Sequence, residues 1–176
     1  MNPRRRPGQG RGGAASAGVG ALLALVAASG CAAHLGATAP TCGAQAVTAA
    51  AAGASSYLAI TTPANHRLDT DFDRFDGPDH ADLAAARADL RDIAVTERAF
   101  DHDLARLALP AAAASWAHTL ASTNEARAQL TSRAANSTSL ARLNDLRPAL
   151  TSANAPVERA VTALRADLGL PPPDTH

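Results

Sequence analysis

The chain has 176 residues, 16 basic and 16 acidic side chains, two cysteines and only 3% aromatic residues. That length suits one domain with a single core. There is no lysine, and four of the 16 arginines (Arg4, Arg5, Arg6, Arg11) stand at the start, so the remainder carries 12 arginines against 16 acids. A mildly acidic, lysine-free surface excludes sequence-independent nucleic-acid binding, which needs a basic face to displace counterions.

The four arginines are followed by Ala17–Cys31, AGVGALLALVAASGC. A charged region, a short apolar run and small residues at a cut form the order of a bacterial export signal. The apolar part, Gly18–Ala28, is shorter than the roughly 20 residues that span a bilayer. With Cys31 directly after Ser29-Gly30, the segment resembles the lipobox of bacterial lipoproteins, with Ala28 where leucine is usual. The resemblance implies removal of residues 1–30 and acylation of Cys31, with chains such as palmitate, as the first mature residue. The alternative is an ordinary secretory signal cut near Ala33. In that case the protein is freely secreted, and a Cys31–Cys42 bridge closes the N-terminal arm.

Residues 31–54 are rich in Ala, Gly and Thr and have few large apolar side chains, so they are expected to form a flexible tether. Ala44–Ala54 joins the next helix if that helix extends backwards. A helix is predicted over Ser55–Phe75, where Tyr57, Ile60, Ala64, Leu68, Phe72 and Phe75 recur on one face. Pro63 either opens a helix capped by Thr62 or kinks a longer one, and Gly77-Pro78 stops it. A second helix is predicted over Asp79–Leu109 with Asp79 as N-cap. Its seam is Leu83, Ala86, Leu90, Ile93, Glu97, Phe100, Leu104 and Leu107. Pro110 begins a third, Pro110–Ala134, whose face carries Ala113, Trp116, Leu120, Asn124, Arg127 and Leu130. This weaker face suits packing on one flank. The fourth is predicted over Thr138–Leu168, with a bend or break near Asn154–Pro156 because an interior proline removes a backbone donor and clashes with the preceding turn. Gly169 and the three prolines after Leu170 end it, leaving residues 171–176 as a disordered tail. Four amphipathic helices over residues 55–170 with short links make an all-α, up-down-up-down four-helix bundle the expected fold. An Ala-rich core leaves little volume for a large internal cofactor, and none is expected.

Few residues suggest chemistry. Asp69, Asp71, Asp73, Asp76, Asp79, His80 and Asp82 are dense enough in oxygen to raise the question of calcium. The calcium-loop spacing fails, because Arg74 stands where glycine is needed and His80 where the closing carboxylate belongs. Alternating aspartates on a helix also point in different directions, so a solvated helix end and N-cap is the expected role. Glu97 and Arg127 each interrupt an apolar seam. With a turn at Leu109–Pro110, facing residue numbers sum to about 220, which puts Glu97 near Thr123 and one turn from Arg127. A partly buried ion pair that fixes register is expected there. His102 and His118 are level in the same hairpin but fall on outward faces. No nucleophile elbow, S-x-x-K set or phosphate-cradling glycine motif is present, so no enzymatic activity, catalytic residue or metal ligand is expected.

From Tyr57-Leu58-Ala59-Ile60 and Pro63-Ala64-Asn65 to Arg165-Ala166-Asp167-Leu168-Gly169-Leu170-Pro171, the chain resembles the small, Ala-rich helical lipoproteins of high-GC actinobacteria. This resemblance implies an envelope location and a helical fold, and brings no functional residue with it. The expectation is a lipid-anchored, non-enzymatic binding or scaffolding domain on the extracytoplasmic face of the cell membrane, with an envelope protein as partner. The alternative is an exported metal- or small-ligand-binding protein that uses the acidic cluster at residues 69–82.

Overall fold

Apolar side chains three and four residues apart gather on four helices in the computed structural model, which describes residues 42–173. These are α1 (Cys42–Asp76), α2 (Leu83–Leu104), α3 (Ala111–Ala135) and α4 (Leu140–Asp167). Among the described residues there is no strand, and the expected all-α four-helix bundle is the fold. The export signal, Cys31, the first part of the tether, His34 and His176 lie outside the described residues.

Helix α1 begins at Cys42 rather than Ser55, so residues 42–54, assigned above to the tether, are helical. Gly53 and Ala54 are already buried there. A Cβ at Gly53 would come within 3.2–3.4 Å of Leu168, Pro110 and Leu109 side chains. The glycine therefore lets α1 cross closely over the α2–α3 link and the end of α4. Pro63 sits inside α1 and does not start a new helix. The carbonyl it leaves without a donor belongs to Ala59, an exposed residue with access to water.

The link after α1 needs Gly77, because a Cβ there would lie 2.5 Å from the Asp73 carbonyl oxygen. The chain then turns through Asp79, and the helix cap is Asp82, not Asp79. Asp82 has extended backbone angles, and its carboxylate accepts hydrogen bonds from the amides of Ala84 (2.7 Å) and Ala85 (3.0 Å). Asp79 instead supplies a backbone carbonyl to the Asp82 amide. Asp82→Ala is therefore expected to lower stability by about 1 kcal/mol. Asp79→Ala should stay within about 0.5 kcal/mol of wild type. Urea unfolding of the two variants side by side measures the difference.

Helix α3 packs against both α2 and α4, which corrects the expectation of a single flank. Its buried face is mostly alanine (Ala113, Ala117, Ala128, Ala134), and these small side chains let both neighbours come close. The same closeness leaves no room for Trp116, which is 40% exposed. Helix α4 is continuous through Pro148 and Pro156, so the expected break is absent. The carbonyls these prolines leave without donors belong to Asn144 and Ser152, both exposed. The helix keeps its inner face, with Leu143, Val157, Ala160 and Leu164 buried, while the disturbance faces solvent. Gly169 (φ +69) closes it as expected. Its amide donates to Ala166 and that of Leu170 to Arg165, the paired bonds of a Schellman cap.

The core has two apolar clusters. One joins Tyr57, Leu104, Leu120, Val157 and Leu164 near the α2–α3 link. The other joins Phe75, Leu90, Ile93, Ala134 and Leu143 at the opposite end. A fully buried leucine contributes about 1.5–3 kcal/mol, so both ends of the bundle are held independently of what lies between them. Helices adjacent in sequence pack along their lengths, whereas α1 and α4 approach each other little.

Candidate functional site

Between the two apolar clusters lies a polar layer built from α2 and α3. Glu97 is in the α2 seam with its side chain 0% exposed, and Arg127 Nε lies 2.8 Å from its Oε1. The expected ion pair therefore forms, and it is more buried than the sequence suggests. The approach is off the N–H axis, so it is a charge contact and leaves Arg127 Nε and both Glu97 oxygens without an aligned hydrogen bond. Asn124 completes the layer. Its amide donates to the Glu97 backbone carbonyl (3.2 Å) and to Asp101 Oδ1 (2.9 Å), and its carbonyl accepts from Arg127 Nη2 (2.9 Å). Asp101 Oδ2 is buried without a partner.

A fully buried carboxyl, Glu97, and the partly buried Asp101 and Arg127 set the electrostatics. Desolvation pushes the Glu97 carboxyl up to about 7, against the opposing pull of Arg127. Asp101 is pushed up to about 6 by the same cause, with Asn124 opposing it and Glu125 adding to it. Burial also raises the Tyr57 hydroxyl, opposed by Thr61 and Arg165. The layer thus holds carboxyls that exchange protons near neutrality.

The separation of α1 from α4 exposes this layer to a groove, which forms two clefts meeting at Phe72, Glu97 and Arg127. One, of about 280 Å3, runs toward Phe75, Leu90 and Leu150. Arg147 straddles its end, bonding Asp76 on α1 (3.1 Å) and lying over the Phe75 ring (4.9 Å to the centroid). The other, of about 390 Å3, runs toward Tyr57, Phe100 and Val161. Both clefts are lined by side chains from all four helices.

The acidic run does not converge. Asp71 and Asp89 both pair with Arg74, Asp76 pairs with Arg147, and Asp82 caps α2. His80 Nδ1 lies 2.8 Å from the Gly77 carbonyl. Among the described residues no group of three or more His, Cys, Asp or Glu side chains is placed to hold a metal ion. Burial raises the Asp71 carboxyl, with Arg74 opposing. His66, His102 and His118 are exposed, the last two as their seams imply.

Sequence reasoning missed Asp89 and Asp101. Asp89 is 3% exposed and takes a 2.9 Å bond from Arg74. Asp101 had an available signal, since it stands one turn after Glu97 on α2 and so shares its face. No family model matches this chain, and neither does a curated protein or a solved structure.

Proposed function

We propose that the protein is exported and held at the extracytoplasmic face of a bacterial cell membrane by acylated Cys31, where its helical bundle serves as a non-enzymatic binding or scaffolding domain. The observation that carries this reading is the order of residues 4–31: arginines, an apolar run, then Ser29-Gly30-Cys31. The polar layer supports a binding role. Its carboxyls face Arg127 and Asn124. The resemblance to actinobacterial lipoproteins agrees with the location. The partner in this reading is an envelope protein met at the membrane surface.

Intact-mass and N-terminal analysis of the protein from the membrane fraction tests the anchor. The expected result is a diacylglyceryl-modified Cys31 at the N-terminus and loss of membrane association in Cys31→Ala. Unmodified chain in the medium, equal for both forms, would overturn it.

A further inference from the structure

The larger cleft, about 390 Å3, falls within the range that holds small molecules. On its floor is Glu97, only 1% exposed as a residue, with Oε2 unpartnered and Oε1 met by Arg127 off axis. Asp101 Oδ2, in the same layer but not among the residues lining the cleft, is likewise without a donor. Arg127 is the positive group beside these oxygens, and its Nε is also without an aligned acceptor. A buried acceptor left unmatched is costly. Tyr57, Phe72 and Phe100 present rings along the cleft, and Asp69 and Glu158 add carboxylates, with Arg165 the second positive group.

We propose that this cleft binds a small organic cation, a primary ammonium on an aromatic or alkyl body, with the ammonium seated on Glu97 and the body against Phe72 and Phe100. An ammonium supplies three donors and no acceptor, so it can meet Glu97 Oε2 without adding a lone pair to the layer. Ring faces and a desolvated carboxylate both favour a cation. An anion entering the same cleft meets three carboxylates, Asp69, Glu158 and Glu97, against the two guanidiniums of Arg127 and Arg165. A neutral apolar molecule leaves the Glu97 oxygens as they are. The proposal rests on the cleft and not on the anchor, so the fate of Cys31 does not bear on it.

The test is calorimetry on the full chain carrying Cys31→Ala, which removes the proposed acylation site and the need for detergent. The buffer is mildly alkaline so that Glu97 is ionised, and the probes are phenylpropylammonium and its charge-reversed counterpart phenylpropanoate. The ammonium is expected to bind with a Kd below about 1 mM, and phenylpropanoate to give no heat. Glu97→Gln, verified as helical by circular dichroism, should weaken ammonium binding about tenfold or more. Val161→Phe fills the cleft from α4 and leaves Glu97 in place, so it should abolish binding even if Glu97→Gln does not fold. No ammonium binding at millimolar concentration, equal binding of the anion, or unchanged binding in either folded variant would overturn the proposal.

Discussion

Replacing Arg127 alone by methionine is expected to cost about 3–5 kcal/mol, whereas replacing Glu97 by leucine and Arg127 by methionine together is expected to leave stability unchanged or raised by about 1–4 kcal/mol. The reason is the position of the pair. The Glu97 side chain has no exposure and that of Arg127 16%. Removing the guanidinium leaves the buried Glu97 carboxyl without its counter-charge, so it must bury a lone charge or take up a proton. Removing both charges exchanges two desolvation penalties for apolar contact with the clusters on either side. Urea unfolding of wild type, both single variants and the double variant closes the cycle. A large coupling between the two sites is the expected outcome. Additive effects within about 0.5 kcal/mol would mean that the two groups do not interact.

Stability is expected to fall as pH rises from about 5 to 8, opposite to the usual behaviour of paired carboxylates. Glu97 is held at about 7 and Asp101 at about 6, both above their ordinary values. Between the unfolded and folded values the native state therefore binds more protons than the unfolded chain. The difference in bound protons makes the slope of unfolding free energy against pH negative. The favourable contribution is complete at pH below the unfolded carboxyl values and is lost as pH rises through 6 and 7. Ionising a carboxyl held near 7 instead of 4.5 costs about 3 kcal/mol, and the partly exposed Asp101 adds less. Urea midpoints at several pH values measure the slope. Glu97→Gln, which cannot titrate, should flatten it. A wild-type slope that rises with pH would contradict the burial of the layer.

How much of this was legible in the sequence follows from which forces set each feature. Helix type and number were legible because the apolar spacing repeats over many turns, and Leu90, Ile93 and Leu120 are buried where the seams put them. The pairing of Glu97 with Arg127 was legible because a short hairpin fixes register, so two charges in facing seams have few other partners. Helix boundaries were less so. Asp79 and Asp82 are both good caps, and the choice depends on how the Gly77 turn is closed. The continuity of α4 was not legible, because proline's cost depends on whether the freed carbonyl faces solvent, and the pattern of leucines does not tell that. Trp116 was placed inward by spacing alone. Packing put Ala117 there instead, since α3 lies close to two neighbours. The groove was invisible for a related reason: periodicity gives each helix an inner face but not the distance between the first and last helix.

The buried polar layer opening on that groove is the feature on which the proposed ligand site depends. Its most direct test is a carbon-13 NMR titration of the Glu97 side-chain carboxyl in the folded chain, assigned by comparison with Glu97→Gln. A midpoint near 7 is the predicted result. A midpoint near the ordinary 4.5 would show a solvated carboxylate, and the layer would then be surface decoration rather than a site.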